Sequence, residues 1–214
     1  MPFNVEHAFS CKSGGFVNIR HNDIRDFTAE VLREVCQNVE VEPILTPLTG
    51  ETFRYKTANT DKEARPDVSA RGVWTRGSKA FFDVRVFNPL APSYRSLTLS
   101  AAHRSNEKEK KRMYGERIQH VEHGTFTPLV FTSFGGMSVE CLKFFNHISD
   151  KISEKRNISE SLARSWVRTK LCFSLLRTAN LCVRGSKSRK PQNIVDLSET
   201  HVQAAVSDSK MDVH

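Results

Sequence analysis

A predicted β-hairpin in the first half of the chain constrains the fold most, because it sets the direction and the pairing of two strands. Strand-like residues run from Pro66 to Trp74 and again from Ala80 to Phe87. Between them, Arg76-Gly77-Ser78 is a turn signal, and Asn88-Pro89 ends the second strand. This pattern predicts a β-hairpin, that is, an antiparallel pair of strands.

The hairpin carries one acidic residue on each predicted strand. Side chains alternate along a strand, so Asp83 and Arg85 share one face while Val84 points to the other. Pairing of the strands can bring Asp67 beside Asp83, and two carboxylates that close repel each other unless a cation lies between them. Mg²⁺ or Mn²⁺ is the expected cation, because hard oxygen ligands suit it. The alternative from spacing alone is a pair of solvated carboxylates.

The remaining patterns predict helices and short strands around this hairpin. Apolar residues at helical spacing predict helices near residues 23–37, 104–123 and 139–152, with a last one that Asn157 and Glu160 begin as a capping box. Short strands are expected at 39–45 and 126–132, and irregular chain at 1–22 and 49–64. The order predicts an α/β domain with helices against a mixed central sheet.

Two further predictions concern the last helix. Trp166 and Phe173 are expected in the core, because aromatic residues at helical spacing usually pack inside. Cys172 and Cys182 are expected to be buried thiols. Phe81, Phe82 and Phe87 around Asp83 are also expected to be core residues.

Composition narrows the class of protein. The 214 residues fit one domain, and the net charge of +8 favours a polyanion, nucleic acid first. The five cysteines are odd in number and widely spread, which argues for a reducing compartment. Neither a signal peptide nor a membrane-spanning run is visible, so we expect a nuclear or cytoplasmic protein that is not secreted.

Four segments, in this order, carry a resemblance to a known family. They are His7 to Cys11 with Gly14-Gly15; Arg20-His21-Asn22; Arg65-Pro66-Asp67 with Phe82-Asp83-Val84-Arg85-Val86; and Phe126-Thr127-Pro128-Leu129-Val130 with Gly135-Gly136. Together they resemble the restriction-like endonuclease region downstream of the reverse transcriptase in non-LTR retrotransposons. Open reading frames derived from such retroelements are similar. The resemblance implies a PD-(D/E)XK restriction-endonuclease-like core and nicking of target DNA by phosphodiester hydrolysis.

The resemblance also implies roles for individual residues. Asp67 and Asp83 would be metal ligands, and Lys110 the catalytic lysine, with Lys111 as an adjacent competitor. Tyr114 follows Lys110 one turn later on the same helical face. His21 would support the site or contact DNA. Arg85 stands where the motif usually has lysine; it stays protonated, so it can stabilise phosphate charge but cannot act as a base.

A zinc knuckle precedes the Arg-His-Asn triplet in the family. His7 and Cys11 match its second half, while the first two cysteines are absent. Two ligands do not close a tetrahedral site, so zinc is not expected in this truncated form. The predicted domains are therefore a knuckle remnant at 1–22, an endonuclease-like domain at 23–184 and a disordered basic tail at 185–214.

Two other functions remain open. One is a catalytically inactive retroelement remnant that binds DNA, or the RNA of the element, through its basic residues. The predicted phosphate contacts are Arg65, Arg71, Arg76, Lys108, Lys110, Lys111 and Arg112. The other is a scaffold of packed helices without a nucleic-acid role. The sequence leaves the oligomeric state open.

Overall fold

A computed structural model describes residues 5–10 and 13–184 of the protein. In chain order its elements are α1 (Val5–Ser10), α2 (Phe16–Val35), β1 (Gln37–Val41), β2 (Val68–Arg71), β3 (Lys79–Phe87), α3 (Leu99–Lys110), α4 (Glu116–His120), β4 (Thr125–Thr132), α5 (Val139–Arg156) and α6 (Glu160–Arg184). A π-helical turn, Lys111–Gly115, joins α3 to α4, and short 3-10 turns lie at Ser13–Gly15 and Pro92–Tyr94.

The four strands form one mixed sheet in the order β1-β2-β3-β4. The predicted hairpin is confirmed, because β2 pairs antiparallel with β3 and Val68 lies opposite Phe82. The other neighbour of β3 is β4, which runs parallel to it. A mixed α/β fold with helices against the sheet is therefore present. The strand β2 is shorter than expected, and Asp67 directly precedes it.

The strand β3 is buried on both faces, so the fold has three layers. Phe82 and Val84 face the main core, which α2, α5 and α6 cover. On the opposite face, Phe81 packs with Tyr114 and Ile118 under the helices that follow α3. Asp83 belongs to this second face, because it alternates with Phe82 and Val84. The expected burial of the three phenylalanines near Asp83 is confirmed.

The N-terminal region differs from the prediction. Residues 5–10 form a helix instead of a loop, and α2 begins at Phe16, several residues before the predicted caps at 22–23. Gly14 and Gly15 have left-handed φ values of 79° and 73°, which suits the bend between the helices. Arg20 lies fully buried inside α2, where one guanidinium nitrogen donates to Phe9 O at 3.4 Å.

Two helix starts were placed wrongly from sequence. The helix α3 begins at Leu99, because Thr98 Oγ1 accepts a hydrogen bond from Ala101 N at 3.2 Å. At the last helix, Ser159 Oγ accepts from Leu162 N at 3.3 Å. Asn157 instead ends α5 in the left-handed conformation with φ 53°. The predicted cap at Asn157 is therefore wrong, because the capping residue is Ser159, two positions later.

The helix α6 carries apolar residues on two faces, which misled the sequence prediction of its core. Val167, Leu171 and Leu175 pack inward, whereas Phe173 is 68% exposed. Cys172 is exposed and Cys182 is buried, so one of the two predicted buried thiols is wrong. Trp166 is only partly buried against the core.

Residues 185–214, predicted to form a basic tail, lie outside the described residues. Within the described part of the chain, no helix has the length and apolar character needed to cross a membrane.

Candidate active site

The hairpin register brings the two predicted aspartates together. Val68 pairs with Phe82, which places Asp67 and Asp83 at adjoining positions of the neighbouring strands. The Asp67 carboxylate reaches across to β3, where its Oδ2 accepts a hydrogen bond from Val84 N at 2.6 Å. Both carboxylates are nearly buried, with side-chain exposures of 13% for Asp67 and 5% for Asp83. The pair is therefore not an ordinary solvated pair at a turn.

Lys110 completes the cluster from α3. Its Nζ atom lies 2.6 Å from Oδ2 of Asp83, and the lysine side chain is 14% exposed. At this distance the ammonium and the carboxylate form an ion pair. The competing Lys111 points elsewhere and pairs with Glu140 at the surface. Of the two adjacent lysines, Lys110 alone contacts the carboxylates.

Burial has the largest effect on the pKa of Asp83. Its pKa rises from 3.8 to about 6, mainly through loss of solvent, and the negative charge of Asp67 contributes to the rise. The cations Lys110 and His21 oppose this rise. Asp83 therefore exchanges its proton close to neutral pH, and becomes a full negative charge only above about pH 6.

His21 holds the other aspartate from α2. Its Nε2 atom lies 2.8 Å from Oδ1 of Asp67, and its side chain is 32% exposed. Since Val84 N bonds the second oxygen, both oxygens of Asp67 have partners. With Asp67 ionised, Nε2 of His21 carries the shared proton as donor. His21 thus orients a carboxylate of the site.

Tyr114 fixes the backbone in front of Asp67, and among the described residues its hydroxyl bonds to neither carboxylate of the pair. Its hydroxyl donates to Arg65 O at 3.3 Å and accepts from Asn59 Nδ2 at 3.5 Å. Burial and the nearby charge of Asp83 raise its pKa above the usual 10. Tyr114 belongs to the π-helical turn that directly follows Lys110, and such turns often occur at functional sites.

Arg117, which the sequence did not single out, holds the irregular segment 42–64 against α4. The residue is fully buried, and its Nη1 donates to Asn59 O at 2.9 Å and Asp61 O at 2.7 Å. Its Nη2 donates to Thr46 O at 3.0 Å. This segment leads directly to Asp67. An arginine inside a highly charged run gives no sequence signal of burial.

Arg85 lies on β3 two residues after Asp83, on the same face, and is half-buried. Within the described residues it makes neither an ion pair nor a hydrogen bond. Among the basic residues predicted to contact phosphate, Arg65 pairs with Glu63 at 3.4 Å and Arg112 stacks over Tyr55 at 5.8 Å. Their guanidinium groups remain at the surface.

The other predicted phosphate contacts are divided between two places. Lys108 is exposed on α3, two residues before Lys110 and therefore on a different face of that helix. Arg71 and Arg76 lie at the turn end of the hairpin, where Arg71 donates to Gly77 O at 3.1 Å. Arg71 is four residues beyond Asp67, about 13 Å along an extended strand. The basic residues therefore do not form one continuous patch.

The predicted zinc remnant is not tested. His7 is exposed on α1, and Cys11 lies outside the described residues. Among residues 5–10 and 13–184, no group of three or more His, Cys, Asp and Glu side chains converges to hold a metal ion. A metal at the candidate site would have two carboxylates as its protein ligands.

Known proteins supply no independent identification of the site. No protein-family model matches the chain, and no curated protein matches it. The geometry and the charges of the site therefore identify it.

Proposed function

We propose that the chain is a metal-dependent DNA endonuclease domain of a retroelement, built on a PD-(D/E)XK-type core, that nicks target DNA by phosphodiester hydrolysis. One observation carries the proposal: Asp67, Asp83 and Lys110, from three separate parts of the chain, meet at one nearly buried place. Burying three ionisable side chains together costs stability, so such clusters are more common at functional sites than on inert surfaces.

The carboxylate pair suits Mg²⁺ or Mn²⁺. Mg²⁺ usually binds proteins through one or two carboxylates and completes its shell with waters and substrate phosphates. Lys110 Nζ lies 2.6 Å from Oδ2 of Asp83; a carboxylate oxygen has two lone pairs, so one of them can still bind a cation. The bound ion would polarise the phosphate and supply an activated water as nucleophile.

The protein groups around the pair have separate tasks. His21 and Val84 N keep the Asp67 carboxylate in one orientation. Lys110 can exchange its contact with Asp83 for a phosphate oxygen when substrate arrives, because a lysine side chain is long and flexible. There it neutralises the charge that develops on phosphorus-bound oxygens.

Arg85 can assist from the next position on the same strand face. Its guanidinium has no partner in the described structure, and two hydrogen-bond donors of an arginine fit two phosphate oxygens. Because arginine stays protonated at neutral pH, this contact is electrostatic and leaves proton transfer to other groups.

The test is nicking of supercoiled plasmid by purified protein in Mg²⁺ or Mn²⁺. We expect nicking by the wild type and none by Asp67→Ala or Asp83→Ala. Glu109→Ala, which removes an exposed carboxylate on α3, is the matched control and should leave the rate unchanged. A folded wild type that leaves the plasmid intact in both metals contradicts the proposal.

A nucleic-acid-binding module without catalysis is the second candidate. One observation favours it: the ammonium group of Lys110 already balances the charge of Asp83 without a metal. Such a module binds DNA equally well in EDTA and in Mg²⁺, with a steep dependence on salt. DNA binding that needs no metal, together with an intact plasmid, selects this function.

A further inference from the structure

A cavity of about 470 Å³ lies at the turn end of the hairpin, away from the carboxylates. The hairpin, the junction of α2 with β1, and α5 enclose it. Three cationic side chains line it: Arg71 and Arg76 from the hairpin and Lys151 from α5. None of the described residues that line it carries a carboxylate. Its charge is therefore positive.

The cations of this cavity are not neutralised by neighbours. Arg71, Arg76 and Lys151 make no ion pair within the described part of the chain. Arg71 has an electrostatic interaction with Glu40. The carboxylate of Glu40 is already bonded to Lys79 Nζ at 3.0 Å and to Ser69 Oγ at 3.1 Å. Three unpaired cations around one space favour an anionic ligand.

A second cavity of similar size shows the opposite arrangement. It lies between α2 and α6, and there Lys170 pairs with Glu30 at 3.0 Å while Arg177 pairs with Asp23. Its cations are used within the fold, and its lining has three acidic residues against two basic ones, so it does not favour an anion. The cavity at the hairpin turn differs by keeping its cations available.

Trp74 gives the cavity a rigid aromatic wall. Its ring stacks on His147 with centroids 5.0 Å apart and meets Phe144 edge-on at 6.2 Å. His147 is itself fixed, because its Nε2 lies 2.7 Å from Val73 O. The indole is nevertheless 37% exposed. A held, partly open indole is a suitable surface for stacking a nucleic-acid base.

The C-terminal end of α2 also borders the cavity, and its free carbonyls would repel an anion. Two of them already have donors inside the protein: Lys155 Nζ bonds Glu34 O, and Cys36 N bonds Leu32 O at 2.7 Å. The repulsion is therefore reduced, and the three cations dominate the local field.

We propose that this cavity binds a single-stranded segment of nucleic acid. Arg71, Arg76 and Lys151 contact its phosphates, and Trp74 stacks one unpaired base. The cavity is about 13 Å from Asp67 along β2. Binding here does not require the proposed nuclease activity, but it would hold a strand near that site.

The experiment measures binding of a fluorescein-labelled dT12 oligonucleotide to the full chain. EDTA is present, so that no divalent cation is bound at the carboxylates. Arg71→Gln, Arg76→Gln and Lys151→Gln should each lower the slope of log K against log salt by about 0.7. Trp74→Ala should weaken binding at least about fivefold. Arg104→Gln, which removes an exposed arginine on α3, is the charge-matched control.

Tryptophan fluorescence emission tests whether a base stacks on Trp74, and it does not depend on Trp74→Ala, which could destabilise the fold. The chain has two tryptophans, so Trp166→Phe leaves Trp74 as the only emitter. We expect dT12 to quench its emission. Emission unchanged by saturating dT12, or the same salt slope for the cavity variants and Arg104→Gln, overturns the proposal. Asp83→Asn should bind dT12 like the wild type, because Asp83 does not line the cavity. Loss of nicking in this variant therefore does not contradict the proposed binding of nucleic acid.

Discussion

Nζ of Lys110 lies 2.6 Å from Oδ2 of Asp83, and the side chains of both residues are at least 86% buried. A charged pair at this depth is sensitive to the loss of either partner, because the remaining charge is left without solvent. The same pair links α3 to the central strand β3. It therefore connects the stability of the fold with the chemistry proposed for the site.

Replacing Lys110 should show whether this lysine has a specific role in catalysis or only adds to the positive charge of the protein. We expect Lys110→Met to slow plasmid nicking by about 10²-fold, the effect typical of removing one donor that stabilises transition-state charge. Lys111→Met is the control, because Lys111 pairs with Glu140 at the surface. Thermal unfolding of both variants checks that each is folded at the assay temperature. Equal nicking rates for the two variants would contradict the role of Lys110.

Asp83 should lower the free energy of unfolding as pH rises, which is the opposite of the usual effect of a paired aspartate. Its pKa rises from 3.8 in the unfolded chain to about 6 in the folded one. The folded state therefore prefers the protonated acid, and this contribution is lost as pH rises through 6. The whole shift corresponds to about 3 kcal/mol.

Asp83→Asn removes this titration while keeping the shape of the side chain. Between pH 4 and pH 7 the free energy of unfolding of the variant should gain about 2 kcal/mol relative to wild type, because part of the shift is already expressed at pH 4. Urea unfolding at pH 4, 5, 6 and 7 measures the change, with Glu109→Gln as the surface control. A difference between Asp83→Asn and wild type that is constant over this range argues against a raised pKa for Asp83.

Divalent-cation binding should weaken in acid. A metal needs the ionised carboxylate, and Asp83 becomes protonated below about pH 6. We expect the affinity for Mn²⁺ to fall about tenfold for each pH unit below that value. Isothermal titration calorimetry at pH 5, 6, 7 and 8 measures it. Affinity that does not change between pH 5 and pH 7 would place the cation elsewhere.

Arg117 should be important for stability although it is remote from the carboxylates. Arg117→Met keeps most of the side-chain volume but leaves the carbonyls of Thr46, Asn59 and Asp61 without their donor. We expect a loss of about 3 kcal/mol in the free energy of unfolding. Limited proteolysis should also cut segment 42–64 sooner. The exposed neighbour Gln119→Met is the control, and equal stability of the two variants would show that the buried contacts contribute little.

The sequence by itself determined the hairpin and the pairing of its acidic residues. A turn signal between two strand-like runs fixes the direction of the pair, and alternation then fixes the face of Asp83. Helical spacing also located the main helices, because burial of one face repeats every three or four residues. These features depend on short-range geometry, which a single chain segment contains.

Only the tertiary structure decided which groups meet across elements. Lys110 and Lys111 are neighbours in sequence, but their side chains leave the helix in directions about 100° apart, and just one faces Asp83. Arg117 and Phe173 reversed the usual expectations, with the charged residue buried and the aromatic one exposed. Their positions depend on what packs against α4 and α6, and spacing along one helix contains no information about its partners.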